Sequence, residues 1–237
     1  MPQVEYTIED NVALVRLNDG ENRFNPPFLQ SLLDVLEEVE LHSQANALVI
    51  TSAHEKIFSN GIDLDWLLPF VQRGDIETAK GFFYLMNRLF KRLLLYPMPT
   101  VAAISGHAFA GGAIMSCACD FRFMRSDRGF FCFPEVDLGI PFLPGMIALL
   151  QKAIPLQTFN ELQLTGKRFT ARDCEERQIV LKACPREDLM KVAMEFAKGL
   201  NKRRGIVAEM KRRTHGDIAR VIDEVDPPVI ESGVFSF

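Results

Sequence analysis

Apolar side chains recur every second position through Val4, Tyr6 and Ile8, and again through Val12 and Leu14 to Leu17, with Asp10-Asn11 between the two runs. That alternation predicts a hairpin of half-buried strands. GENRFNPP reads as a loop. From Pro26-Pro27 onward, Phe28, Leu32, Leu33, Leu36 and Val39 follow a helical period, with proline where a helix start tolerates it. Ala47 to Thr51 is short, apolar and partly β-branched, so a buried strand is expected. FSNGIDLDWL reads as a loop entering a helix. Residues 76–95 form a long amphipathic pattern that must stop before Tyr96-Pro97-Met98-Pro99. Thr100 to Ile104 predicts another buried strand, Gly111 to Cys119 a helix of small residues, and Phe121–Met124 and Gly129–Phe133 two more strands. From about Met146 the pattern is almost wholly helical. The layout is an α/β core, set at residues 1–190, followed by an α-helical region at 191–237.

At 237 residues the chain suits one large domain with an appendage. Apolar residues at 48% and charged residues at 24% are ordinary for a globular protein, which disfavours disorder and collagen-like or disulfide-stapled scaffolds. The net charge of −4 disfavours a nucleic-acid partner. The five cysteines (Cys117, Cys119, Cys132, Cys174 and Cys184) form no C-x-x-C pair and sit mostly in apolar company. They read as reduced, buried thiols in a reducing compartment. The N-terminus lacks a signal core, no apolar run approaches the ~20 residues of a membrane span, and VFSF is not a peroxisomal address. A cytoplasmic protein without membrane attachment is expected. His42, His54, His107 and His215 show no metal-ligand spacing, so no metal is expected.

Three segments can carry chemistry. Phe58-Ser59-Asn60-Gly61-Ile62-Asp63-Leu64 follows a strand and enters a helix, where free backbone N–H groups favour negative charge. It also reads as an ordinary loop capped by Asp63. Ser105 to Ala113 joins a buried strand to a helix through Gly111-Gly112. This is neither a dinucleotide fingerprint nor a P-loop, and it permits close backbone approach by a ligand or tight helix–sheet packing. In Phe130-Phe131-Cys132-Phe133-Pro134-Glu135 a lone carboxylate follows three aromatics. Apolar surroundings would raise its pKa toward that of a general base, whereas a loop position would leave it in water. Taken together, two backbone donors can hold the oxygen of a carbonyl becoming an enolate while a carboxylate moves the neighbouring proton.

Other residues carry double readings. Trp66, Leu67, Leu68 and Phe70 can wall an acyl pocket or fill the core. Asp137 would face the same way as Glu135 if that segment were extended, adding a second acid. His107 reads as a packed histidine, and Asp120 as an anchor. Lys202-Arg203-Arg204 and Lys211-Arg212-Arg213 can form a solvated face or a phosphate-binding patch.

The chain resembles the crotonase superfamily, the enoyl-CoA hydratase/isomerase family. The likeness runs through Asn22-Arg23-Phe24-Asn25-Pro26, FSNGIDL, SGHAFAGGAIMSCACD, RGFFCFPEVDLGI and LTGKRFTARDCEERQIV. It implies a spiral of ββα units with a C-terminal α-helical trimerisation region, and an acyl-CoA substrate with no other cofactor. By position it implies oxyanion donors at the N–H groups of Ile62 and Gly111, and a catalytic Glu135. Asn60, Gly61, Asp63, Leu64, Gly112, Ile114 and Leu143 would line the substrate.

The departures from the family pattern choose the reaction. Family hydratases use two glutamates, and the first falls at Ile114. The dienoyl-CoA isomerase subgroup places aspartates at Ile114 and Leu143. One base remains, as a Δ3,Δ2-enoyl-CoA isomerase needs, and the wording looks closest to the monofunctional isomerases of the plant type. Decarboxylase, thioesterase or weak hydratase activity, or a non-catalytic CoA- or RNA-binding role, are the alternatives. The resemblance implies a homotrimer or a dimer of trimers, with a C-terminal tail, VFSF, that ends early and alters the closure of the acyl pocket.

Overall fold

A computed structural model describes residues 2–233. The tail VFSF, and with it the expected change in acyl-pocket closure, lies outside the described residues.

The chain opens with the expected hairpin, β1 (Val4–Glu9) and β2 (Val12–Leu17), then a two-residue strand β3 (Arg23–Phe24) and helix α1 (Pro26–His42). Asn25 starts α1 by accepting the Phe28 N–H at 3.0 Å. Three turns of one theme follow. β4 (Ala47–Ser52) leads to the short strands β5 (Ile57–Ser59) and β6 (Gly61–Ile62) and helices α2 (Leu64–Gln72) and α3 (Ile76–Leu94). β7 (Thr100–Ile104) leads to β8 (His107–Phe109) and α4 (Gly111–Ala118). β9 (Phe121–Arg125) leads to β10 (Phe131–Cys132), α5 (Glu135–Leu138) and α6 (Pro144–Ala153). The rest comprises α7 (Leu156–Thr165), α8 (Ala171–Glu176), β11 (Lys182–Cys184), α9 (Arg186–Gly199), α10 (Arg204–Arg220), a π-helical turn at Val221–Val225 and α11 (Asp226–Glu231).

The first strand of each turn joins one sheet of order β1-β2-β4-β7-β9-β11, and the second joins a small parallel sheet of order β10-β8-β5. This is the ββα spiral. Except for the β1–β2 hairpin, the pairings of the large sheet are parallel. Its central strands are therefore apolar on both faces. Leu48, Ile50, Ala102 and Ile104 pack into the main core with α1, α3 and α4. Val49, Val101 and Ala103 face Leu189, Ala193, Met194 and Ala197 of α9. The boundary drawn at residue 190 falls inside α9, a single helix that covers the outer face of the sheet.

The strands β5, β6, β8 and β11 do not stand out in the hydrophobic pattern. The strand expected over Gly129–Phe133 is shorter, Phe131–Cys132. Parallel pairing with distant segments makes these elements, as in Ile57 with His107 and Phe131 with Ala108. Two or three residues hold no periodicity that could announce such pairing.

Candidate active site

The ends of three successive spiral turns converge. Gly61, at φ +72°, opens β6. A Cβ placed on it would lie 2.5 Å from the Gly111 nitrogen and 2.8 Å from the Phe109 carbonyl oxygen. β6 and the start of α4 therefore touch backbone to backbone, at a distance only glycine permits. β6 pairs with β3, and Asp63 donates its N–H to the Phe24 carbonyl at 3.0 Å. Alternation along the strand turns the Ile62 N–H away from β3, to an edge without a further strand among the described residues.

The second donor group is the N-terminus of α4. Its first helical bond runs from the Ile114 N–H to the Ala110 carbonyl at 3.0 Å. The N–H groups of Gly111, Gly112 and Ala113 precede that bond, and Ala110 supplies no side-chain cap. The positive end of the helix dipole adds to their pull on an anion. Gly112 is packed so that a Cβ would collide with the Ser59 carbonyl. Ala110 itself stands at φ +49°, ψ −126°, a conformation that costs a residue with a Cβ roughly 1–3 kcal/mol. It is held there by the bond from its N–H to the Cys132 carbonyl, 3.0 Å.

Glu135 follows the third of these strand ends. The chain leaves β10, buries Phe131 and Phe133 in the core, and starts α5 at Glu135, which is only 9% exposed. Its Oε2 is buried without a hydrogen-bond partner among the described residues. Burial pushes the carboxyl up to about 7, against the opposing effect of its own backbone N–H. It is thus poised to take and return a proton near neutrality. Beside it lies a cavity of about 410 Å³ whose lining includes Val136, Ile140, Phe142, Ile147 and Gln163.

Ile114 and Leu143 are 2% and 7% exposed and belong to the same apolar core as Phe133. Leu64 opens α2, and Asn60, Ile62, Asp63 and Leu64 are all partly exposed beside the junction. Asn60 is engaged locally, its Nδ2 donating to Glu21 Oε2 at 3.0 Å. Asp63 caps α2, accepting the Trp66 N–H at 3.3 Å.

The conditional reading of Asp137 as a second acid is overturned. The segment is helical rather than extended, so two residues turn the side chain about 200°. Asp137 is exposed, and its carboxylate lies against Gly166. His107 packs against Phe109 and Phe130, with ring centroids 5.1 and 5.7 Å away. Trp66 stacks against Phe70 and Phe82. The basic runs do not form one patch. Arg204 donates to the carbonyls of Ala45, Glu40 and Ser43 at 2.6, 2.7 and 2.9 Å. Lys211 is buried on Asp120, while Arg212 and Arg213 pair with Glu209. All five cysteines are free and buried. Among the described residues there is no metal-holding cluster, and no helix is long and apolar enough to cross a membrane.

Two supporting residues escape sequence reasoning. Asn22 is fully buried and donates to Ser52 Oγ at 2.8 Å and the Phe58 carbonyl at 2.9 Å. Ser59, also buried, donates to the Asn22 carbonyl at 2.7 Å and accepts the Gly61 N–H at 3.2 Å. Together they fix β3 against β5 and β6. Asn22 heads the NRFNP segment and Ser59 lies within FSNGIDL, where each looks like an ordinary loop residue.

The sequence pattern of the enoyl-CoA hydratase/isomerase family matches residues 7–224. The chain belongs to the enoyl-CoA hydratase/isomerase family. Its relatives in that family include the peroxisomal enoyl-CoA delta isomerase 2 of Arabidopsis thaliana, 36% identical over 69% of each chain. A putative enoyl-CoA hydratase of Thermus thermophilus is 34% identical over 85% of this chain and 78% of the other. The fold superimposes on a probable enoyl-CoA hydratase of Mycobacterium tuberculosis with a TM-score of 0.87, at 24% identity, covering 98% of this chain and 97% of that one. The ββα spiral is thus the crotonase fold of the family, which includes members named for isomerisation and for hydration.

Proposed function

We propose that the protein is a Δ3,Δ2-enoyl-CoA isomerase that works with one carboxylate. Glu135 removes the C2 proton of a 3-enoyl-CoA. Electrons move onto the thioester oxygen, which accepts hydrogen bonds from the N–H groups of Ile62 and Gly111. Protonated Glu135 then delivers the same proton to C4, the double bond settles between C2 and C3, and the carboxylate is restored. One proton moves and no cofactor is consumed. Asn60, Gly61, Asp63, Leu64 and Gly112 border the CoA-bearing part of the substrate, and Ile114 and Leu143 border its acyl part.

The observation that carries this reading is the buried Glu135 carboxyl with an oxygen free of any hydrogen-bond partner among the described residues, in a chain where Ile114 and Leu143 supply only hydrocarbon. Hydration needs a second group to activate water, and isoleucine cannot do that. A dry surround also protects the dienolate from stray protonation. The resemblance to the Arabidopsis isomerase supports the same choice, while the hydratase-named relative keeps hydration as the outcome to test against. A cytoplasmic homotrimer, or a dimer of trimers, is part of the proposal.

Incubation with trans-3-hexenoyl-CoA tests it. Ultraviolet absorbance follows the conjugated 2-enoyl thioester, and mass spectrometry records added water or a lost acyl group. Conjugation without a change in mass is expected, and Glu135→Gln abolishes it while CoA binding survives. A product heavier by one water, or a Glu135→Gln variant as fast as the parent, overturns the reading.

A further inference from the structure

The far end of α4 holds a charge cluster that the proposed chemistry does not use. Lys152 of α6 sends its Nζ to the carbonyls of Cys117, Ala118 and Cys119 at 3.1, 3.4 and 3.2 Å. Arg122 of β9 donates to the Ser116 and Cys119 carbonyls at 3.3 and 2.9 Å. Lys211 of α10 pairs with Asp120 at 2.6 Å and donates to the Met98 carbonyl at 3.0 Å. Three cations thus meet one carboxylate. Among the described residues Lys152 has no carboxylate of its own, and its partners are the last carbonyls of the helix.

A half-buried ammonium with carbonyls in place of a carboxylate is a costly way to end a helix, because glycine, asparagine or water does so without desolvating a charge. What the ammonium adds is a field. α4 has eight residues, all buried, and its other end is Gly111. At 1.5 Å per residue the two ends are about 12 Å apart, with little water between them to screen the interaction. We propose that Lys152 is a positioning residue for the active site: its charge, seated on the C-terminal carbonyls of α4, holds that helix in place and strengthens the pull of its Gly111 end on a negative thioester oxygen. This inference rests on the oxyanion role proposed for Gly111. The Nζ lies beyond the last carbonyls and the oxygen beyond the Gly111 N–H, so a unit charge acts over roughly 17 Å and, with an effective dielectric near 20, stabilises an oxyanion by about a factor of five in rate.

The charge can be switched in place. Burial, reinforced by Arg122, lowers the Lys152 ammonium to about 8. The groups facing it are Asp120, Arg122, Lys211, His215, Cys117 and Cys119. Burial pushes the Cys117 thiol up and the Cys119 thiol to about 12, and holds the His215 ring below its usual range. The histidine stays uncharged above about pH 7, and the thiols are present in both the Lys152 and the Lys152→Arg proteins, so a pH-dependent difference between those two reports Lys152.

The probe is 4-(dimethylamino)cinnamoyl-CoA, whose absorption moves to the red when its carbonyl is polarised. It is bound to the Glu135→Gln protein so that the catalytic carboxyl does not titrate. The red shift is expected to be full at pH 7 and to shrink by pH 9.5, whereas Lys152→Arg keeps it at both. In the Glu135 enzyme, Lys152→Met is expected to lower kcat about fivefold at unchanged KM. A red shift that ignores pH and is equal in the Lys152 and Lys152→Arg proteins overturns the role of Lys152 while leaving the oxyanion site intact. A complete absence of red shift in every protein overturns the oxyanion site itself, and this inference with it. The titration needs only the Glu135→Gln protein with and without Lys152→Arg, so it stands even if Lys152→Met does not fold.

Discussion

Gly61→Ala tests the backbone contact on which the site depends. The added methyl would sit 2.5 Å from the Gly111 nitrogen and 2.8 Å from the Phe109 oxygen, where real Cβ atoms stay beyond 3.0 Å. The two segments must separate by at least 3.0 − 2.5 = 0.5 Å, and both obstacles are backbone atoms that cannot swing aside. The left-handed φ of +72° adds about 1–2 kcal/mol of strain for a residue with a Cβ. With the steric displacement, a total of roughly 2–3 kcal/mol follows, or about 5–10 °C in Tm for a chain of this size. Activity should suffer more than stability. Spreading the Ile62 and Gly111 donors leaves only one of them in range of the oxygen, and loss of one such donor lowers kcat about 10²–10³-fold. The assay is conversion of trans-3-hexenoyl-CoA beside a thermal melt, at a temperature where the variant stays folded. KM should change less than kcat, because Asn60, Asp63 and Leu64 still border the CoA. A variant with kcat within about threefold of the parent would refute the argument that these two strand ends jointly hold the reacting oxygen.

Burial at Glu135 and strain at Ala110 each leave a measurable trace. The Glu135 carboxyl, raised from 4.5 to about 7 by burial, favours the protonated fold, so stability falls as pH rises from about 4.5 to 7. The lost stability is on the order of 3 kcal/mol above that window; Glu135→Gln should therefore melt several degrees above the parent at pH 8, with the gap shrinking by pH 5. A gap that is the same at both pH values contradicts it, while kcat/KM of the parent should climb through about pH 7 as the carboxylate forms. Ala110→Gly relieves roughly 1–3 kcal/mol of backbone strain against about 0.5–1 kcal/mol of added chain entropy in the unfolded state. A net gain in urea stability of about 0.5–2 kcal/mol is expected, and a net loss would show that position 110 is not strained.

Long elements were legible because their periodicity outruns their ends. The hairpin β1–β2, helices α1 and α3, and strands β4, β7 and β9 lie within a residue or two of the pattern that predicts them. The basic runs show the limit. Lys211, Arg212 and Arg213 are alike in sequence, yet Lys211 turns inward onto Asp120 and the other two point into water. The difference is helix phase against a core that the local sequence does not specify. Asp137 shows the same limit from the opposite side, since two residues separate it from Glu135 and the backbone conformation alone decides whether they share a face.

The alternation and helical periods of the core, the glycines at 61, 111 and 112, the carboxylate at Glu135, and the hydrocarbon at Ile114 and Leu143 are all visible along the chain alone. These are local properties: which backbone can turn, which side chain can ionise, which cannot. Packing in three dimensions adds that Gly61 meets Gly111, that Ala110 is held in a strained turn by Cys132, and that burial raises the Glu135 carboxyl to about 7. It alone placed Lys152 at the far end of the helix that begins at Gly111. Each of these depends on segments tens of residues apart being brought together by parallel pairing and core burial. Close approach and desolvation belong to the packed neighbourhood of a residue, so no reading of the residue alone contains them.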